Sequence, residues 1–141
     1  MQSWSRAPSR RLGIRHLHDG SETWEVAETW LYYDLYYTHT SDLQATDWLA
    51  THTMANDVVC ADFYAARKIA TFSPRPISVV SGVLPRDISR DGFVFEDVDN
   101  VTRGVAYDCV DGQAVFYRFP TAFVKDHKRL VISEGNVRIY R

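Results

Sequence analysis

The residue types and spacing that could support chemistry are clearest at Asp97 and Asp99, an Asp-x-Asp pair that follows the apolar stretch 92–96. Two carboxylates at this spacing can hold a divalent cation against a diphosphate, and their oxygen ligands suit Mg²⁺ or Ca²⁺. No Gly-rich phosphate-binding loop accompanies the pair, and a chain of 141 residues is short for such an enzyme. A small metal-dependent enzyme that acts on a sugar nucleotide through Asp97 and Asp99, with a divalent cation as cofactor, is therefore one alternative.

Asp62 is a second candidate, because it directly follows the short apolar run Val58–Ala61. Open α/β sheets bind ligands just beyond the carboxyl ends of their strands, so an Asp in this position could contact a ligand. Asp is also among the best helix N-caps, and a helical sequence follows at once. Capping is the favoured interpretation, and ligand binding by Asp62 is the alternative.

The most aromatic stretch of the chain is Trp30–Tyr37. Its tyrosines Tyr32, Tyr33 and Tyr36 could stack on sugars or bases. Aromatic residues more often supply core and rim packing in a small domain. The stretch therefore predicts packing first and ligand binding second.

The remaining polar motifs predict less. Asn100-Val101-Thr102 is an acceptor sequence for N-glycosylation, which requires an extracytoplasmic location. His16 and His18 share a face of a predicted strand and could form a metal pair, but the spacing indicates no third ligand, so solvent-facing histidines are favoured. No nucleophile motif such as Gly-x-Ser-x-Gly is present. The sequence therefore predicts no catalytic residue.

Length and composition suit one domain with a real core, at 141 residues and 45% hydrophobic content. The net charge of −2 gives no reason to expect nucleic acid binding, and no segment approaches the roughly 20 apolar residues of a membrane span. We expect residues 1–11 to be a disordered or linker-like N-terminus and residues 12–141 to form the domain. Cys60 and Cys109 lie in apolar contexts, which favours buried thiols and leaves a disulfide open.

The centre of the chain reads as an α/β layer unit. A helix is predicted to begin at the N-cap Ser41. A buried strand follows at Val58–Ala61, then a helix at Phe63–Ala70, with Arg67 and Lys68 on its polar side. A parallel strand at Ile77–Val80 would complete a right-handed crossover.

Turn signals predict hairpins on both sides of this unit. Asp19-Gly20, Asp111-Gly112 and Glu134-Gly135 each lie between strand-like stretches. The segment Asp97–Gly104 reads as polar and turn-like, and Pro120–His127 as one or two helical turns. The predicted fold is α/β, bordering on α+β, with a central β-α-β unit, a mixed sheet, flanking helices and hairpins at both ends.

The order of several motifs resembles a known family. In chain order they are Gly13-Ile14, the Tyr32–Tyr37 stretch, Asp42–Leu49, Val58–Asp62 and the closing segment Val131–Tyr140. This order resembles the C-terminal soluble domain of archaeal multi-pass membrane proteins related to the GT-C type glycosyltransferases, which use lipid-linked sugars. The chain departs from the family pattern where Val131-Ile132-Ser133 replaces the usual Ile-Tyr.

The resemblance implies a domain on the extracytoplasmic face of the membrane, attached through its N-terminus to the last span of a parent protein. It carries over no catalytic residue, because the acidic catalytic groups of such enzymes lie in loops between membrane spans. The implied partners are the upstream transmembrane region and a glycan or lipid-linked sugar. The implied function is a non-catalytic accessory domain, and a structural or interaction module without a ligand is a further alternative.

Overall fold

The computed structural model describes residues 17–18, 23–26 and 37–141. This part of the chain contains nine strands and four α-helices, together with a short 3₁₀ helix at Pro85–Asp87. The strands are β1 (Leu17–His18), β2 (Thr23–Val26), β3 (Val59–Ala61), β4 (Val79–Ser81), β5 (Phe93–Glu96), β6 (Val105–Val110), β7 (Gln113–Arg118), β8 (Leu130–Glu134) and β9 (Val137–Tyr140). The helices are α1 (Thr40–His52), α2 (Phe63–Phe72), α3 (Val98–Arg103) and α4 (Thr121–His127).

The strands form two sheets. The larger has the order β4-β3-β5-β9-β8, in which β3 is parallel to β4 and β5 while β9 is antiparallel to its neighbours. The smaller has the order β1-β2-β7-β6 and is antiparallel throughout. The mixed sheet, the β3-α2-β4 unit and the hairpins β1–β2 and β8–β9 confirm the predicted α/β fold.

The larger sheet has a core on each face. Val59 and Ala61 pack on one face against Ala45 and Leu49 of α1 and against α2. On the other face, Val94 and Tyr140 belong to a second core that includes residues of the smaller sheet and of α4. All three residues of β3 are 0% exposed, which explains the uninterrupted apolar run that predicted this strand.

The parallel pairing of β3 and β5 positions the candidate site. Val59 is in register with Phe93, and Cys60 with Val94. Parallel neighbours in register end at the same edge of a sheet. Asp62 and Asp97, which follow these two strands, therefore lie at the same edge although they are 35 positions apart in sequence.

The structure corrects three local predictions. The segment predicted as a turn, Asp97–Gly104, contains α3, which Gly104 ends with a φ of 70°. The N-cap of α1 is His39 rather than Ser41, and the His39 N–H donates to Asp42 Oδ2 at 3.1 Å. Lys68, predicted on the polar side of α2, is buried at 7% exposure.

Other predictions have mixed outcomes. Cys60 is a buried free thiol, and Cys109 is free and half-buried, so the two cysteines do not pair. Among the described residues, no helix is both long and apolar enough to cross a membrane. The predicted N-terminal segment 1–11 and His16 lie outside the described residues.

Candidate functional site

Four polar residues that the sequence singled out converge at the carboxyl edge of β3 and β5. Asp62 follows β3, Asp97 follows β5, and Asp99 and Asn100 lie in the first turn of α3. Their exposed fractions are 1% for Asp62, 2% for Asp97, 5% for Asp99 and 0% for Asn100. They meet inside the protein, where most polar atoms have a hydrogen-bond partner.

Asp62 caps α2, as the favoured interpretation predicted. Its Oδ1 accepts from the Ala65 N–H at 2.9 Å. Its Oδ2 accepts from Asn100 Nδ2 at 2.7 Å and from the Tyr107 N–H of β6 at 3.0 Å. Both carboxylate oxygens are thus used to join α2, α3 and the smaller sheet. Ligand binding by Asp62 stays a prediction.

Asn100 hydrogen bonds to the N-cap residues of two helices. Its N–H donates to Asp97 Oδ1 at 2.9 Å, and its Oδ1 accepts from the Asp97 N–H at 2.9 Å, which forms a reciprocal cap of α3. Its Nδ2 donates to Asp62 Oδ2 and, at 2.9 Å, to the Val105 carbonyl. The atom that N-glycosylation would modify is therefore buried and hydrogen bonded in the folded protein.

Sequence reasoning missed Lys68 and Asp42, which complete this group. Lys68 Nζ lies 3.5 Å from Asp42 Oδ2 and 3.6 Å from Asp97 Oδ2. The signal that α2 offered was spacing alone: Lys68 is three residues beyond Ala65 and shares its helix face, which the structure shows to be buried. We call the six residues Asp42, Asp62, Lys68, Asp97, Asp99 and Asn100 the interior polar cluster.

The electrostatics of the interior polar cluster follow from burial of more carboxylates than cations. Burial raises the pKa of Asp62, against the hydrogen bonds that stabilise its charge. Burial, with the charge of Asp62 added, raises the pKa of Asp97 well above its ordinary value, and Lys68 opposes that rise. Burial alone would lower the pKa of Lys68, but the surrounding carboxylates, led by Asp97 and Asp42, together more than offset it, so this pKa is raised. Lys68 is therefore an ammonium at neutral pH and holds the carboxylates together.

The geometry at Asp97 bears on the predicted metal site. Asp97 uses Oδ1 to cap α3, and its Oδ2 faces Lys68. Asp99 Oδ1 lies 3.9 Å from Arg103 Nε. The described part of the chain contains no group of three or more His, Cys, Asp or Glu residues placed to hold a metal ion. A divalent cation at Asp97 and Asp99 stays a prediction.

The aromatic stretch is described only at its end. Tyr32, Tyr33 and Tyr36 lie outside the described residues. Tyr37 is 61% exposed, and its ring meets the edge of the His39 ring with centroids 4.7 Å apart. The stretch therefore reaches the surface just before α1 begins.

Trp48 of α1 is partly buried against the core. Its indole stacks on His52 at 4.0 Å between centroids and meets the Phe93 ring edge-on at 6.2 Å. The Trp48 side chain thus serves core packing.

Comparison with models of protein families, with curated proteins and with solved structures finds no match to this chain.

Proposed function

We propose that this chain is a non-catalytic accessory domain of a multi-pass membrane protein related to GT-C type glycosyltransferases. In this proposal the domain stands on the extracytoplasmic face of the membrane and contacts the glycan or the acceptor. The order of motifs described above supports the relationship. The segments that contribute most to it form α1, β3 with its capping Asp62, and the β8–β9 hairpin.

The observation that carries the non-catalytic role is that the side chains of the interior polar cluster are buried away from solvent. The sequence offered Asp62, Asp97 and Asp99 for ligand or metal chemistry, and none of them, nor the neighbouring Lys68, is more than 7% exposed. A general acid or base must come within hydrogen-bond reach of its substrate. Asp62 and Asp97 instead cap helices, and Lys68 neutralises carboxylates. This supports a structural use of the cluster.

Tyr37 supports the glycan-contact part of the proposal. An exposed tyrosine offers a sugar a flat apolar face together with a hydroxyl. Tyr37 is the described member of the tyrosine-rich stretch, and 61% of its surface is free. The predicted ligand residues Tyr32, Tyr33 and Tyr36 precede it in sequence.

A nuclear magnetic resonance titration of the purified chain with soluble oligosaccharides tests this function. We expect shifts at the Tyr37 and His39 amides, and we expect Tyr37→Ala to weaken them. Phe72→Ala is the matched control, because Phe72 is an aromatic residue at the end of α2 with 47% exposure. If no oligosaccharide shifts the amide resonances of the chain, the chain is a structural module, and this part of the proposal is wrong.

A turnover assay separates the accessory role from the enzyme alternative. The chain is incubated with a nucleotide sugar and Mg²⁺, and we expect no consumption of the sugar nucleotide. Consumption that Asp97→Asn and Asp99→Asn abolish, in variants that still fold, would establish the metal-dependent enzyme instead. The genomic sequence upstream of Met1 gives an independent check. The proposal expects an in-frame extension with several apolar runs of about 20 residues.

A further inference from the structure

A concave surface lies between α4 and the β8–β9 hairpin, on the face of the larger sheet opposite α1. Its volume is about 490 Å³, and its lining residues are Lys125, Lys128, Leu130, Ser133, Arg138 and Tyr140. We call it the basic concavity. Three of its six lining side chains are cationic, so its chemistry differs from that of the acidic interior polar cluster.

The alternation of β9 creates this surface. Val137 and Ile139 point into the core beneath α1, so Arg138 and Tyr140 lie on the opposite face. The neighbouring strand β8 pairs Ser133 with Arg138. Helix α4 buries Val124 in the same core as Tyr140 and leaves Lys125 exposed at the rim. Strand pairing thus places a hydroxyl beside a guanidinium, with a lysine from α4 across from them.

The positive charge of the basic concavity is fixed in place. Lys128 Nζ donates to the carbonyls of Ser89, Arg90 and Gly92 at 2.7, 2.8 and 2.7 Å, which uses all three ammonium hydrogens. Lys128 therefore contributes charge rather than hydrogen bonds to anything bound there. Its ammonium cannot swing into solvent without losing three partners.

Arg138 is also oriented by the fold. It stands opposite Glu96 in the β5–β9 pairing, and Glu96 is 3% exposed. Arg138 also hydrogen bonds with the Tyr140 hydroxyl. A guanidinium has five N–H donors in a planar fork, so Arg138 can hold Tyr140 and an anionic oxygen at the same time. Glu96 interacts electrostatically with both Arg138 and Lys125, and one carboxylate against the three cations that line the concavity leaves an excess of positive charge.

The segment of the chain that forms the basic concavity also carries a net positive charge. Residues 121–141 contain five Lys or Arg and only two Asp or Glu, a net of +3, within a chain whose net charge is −2. Such asymmetry creates a local field that attracts anions. The concavity lies where this basic segment folds back on itself, so the concave surface is also the place where the positive field of the segment is concentrated.

We propose that the basic concavity binds the phosphate group of a phosphoester, with Lys125, Arg138 and the Ser133 hydroxyl as its donors and Lys128 as a fixed charge. Phosphate fits because a fork of N–H donors matches its oxygens and because two or more cations balance its charge. The inference goes beyond the proposed function. It uses residues other than Tyr37, so either proposal can fail alone.

The test is a nuclear magnetic resonance titration of the whole chain with inorganic phosphate at constant ionic strength. We expect the amides of Lys125, Ser133 and Arg138 to shift together. Lys125→Gln should weaken binding about tenfold, because it removes one charge-assisted hydrogen bond. Lys125 is exposed, so this variant should fold. Arg118→Gln, which removes an exposed charge at the end of β7, should bind phosphate as the unaltered chain does.

A second experiment distinguishes a lipid headgroup from a soluble phosphoester. It measures retention of the chain on vesicles of phosphatidylcholine alone and on vesicles that also contain phosphatidylglycerol. Retention on the anionic vesicles that Lys125→Gln abolishes would identify a lipid headgroup. Binding of soluble phosphate without vesicle retention would identify a soluble phosphoester. No shift at the concavity with inorganic phosphate and no retention would overturn the proposal. Equal phosphate affinity of Lys125→Gln and the unaltered chain would overturn it as well.

Discussion

Asn100 Nδ2 donates to Asp62 Oδ2 at 2.7 Å, across 38 positions of sequence. This hydrogen bond joins the caps of α2 and α3, because Asp62 caps one helix and Asn100 belongs to the reciprocal cap of the other. Both partners are at most 1% exposed. Two residues whose sequence motifs suggested ligand binding and glycosylation thus stabilise one another inside the fold.

The same contact predicts the fate of the glycosylation motif. A glycan on Asn100 Nδ2 would need space that is absent at a 0% exposed side chain and would disturb its bonds to Asp62 and Val105. When the chain is expressed through a glycosylating secretory pathway, we expect the folded fraction to carry no glycan at this position.

Thr102→Ala provides the control for the glycosylation prediction. It removes the acceptor motif while leaving Asn100 in place, and Thr102 is an exposed side chain whose hydroxyl donates to the Val98 carbonyl. Mass spectrometry of the two folded proteins should differ by the substitution alone. Folded protein with a glycan at Asn100 would show that the interior polar cluster opens.

Lys68 should contribute strongly to stability. Lys68→Met leaves the carboxylates of Asp42 and Asp97 buried without their counter-ion, and breaking a buried pair by removing one partner costs about 3–5 kcal/mol. Chemical denaturation should measure a loss of this size in the free energy of unfolding. Adding Asp97→Asn should recover part of it, because that change removes one unpaired charge.

Arg67→Met is the matched control for Lys68→Met. Arg67 is the preceding residue of α2, it is exposed, and its guanidinium lies 5.5 Å from the Phe63 ring centroid. An exposed cation–π contact is worth about 0.5–1 kcal/mol. Losses of equal size at Arg67 and Lys68 would mean that the buried ammonium has no special role.

The raised pKa values of Asp62 and Asp97 predict how stability depends on pH. Between the unfolded pKa, about 3.9 for Asp, and the raised folded pKa, the native state binds more protons than the unfolded state. Stability therefore falls as pH rises through this window. Burial also raises the pKa of Glu96 and Asp108, which add to the same trend.

Denaturation curves at a series of pH values from about 4 upward test this dependence. Asp97→Asn should flatten the fall in unfolding free energy, because the pKa of Asp97 is raised well above its ordinary value and the substitution removes its titration. Asp47→Asn, on the exposed side of α1, is the control and should leave the slope unchanged. A slope that Asp97→Asn does not alter would disprove the assignment to the interior polar cluster.

The sequence correctly predicted those structural elements that depend only on residues close together in the chain. The apolar run at β3, the cap at Asp62 and the turn at Asp111-Gly112 each depend on a few adjacent residues, and the structure confirms them. In that last turn, Asp111 has a φ of 51° and Gly112 a φ of 78°, as an Asp-Gly hairpin turn requires.

The missed features depend on residues far apart in sequence. Lys68 looked solvent-exposed because lysine usually is, and only Asp42 and Asp97, from two other elements, make its burial favourable. Likewise, α3 is a six-residue helix, too short for a periodic signal. Its cap depends on Asn100, which Asp62 orients.

Hydrogen exchange at the Tyr107 amide tests the central claim most directly. This N–H donates to Asp62 Oδ2 inside the interior polar cluster, so a sealed cluster allows exchange only through global unfolding. We predict that its exchange free energy equals the unfolding free energy from denaturation, while the exposed Gly112 amide exchanges far faster. Exchange of Tyr107 through a local opening several kcal/mol below global unfolding would contradict the account, because the cluster would then open to a ligand.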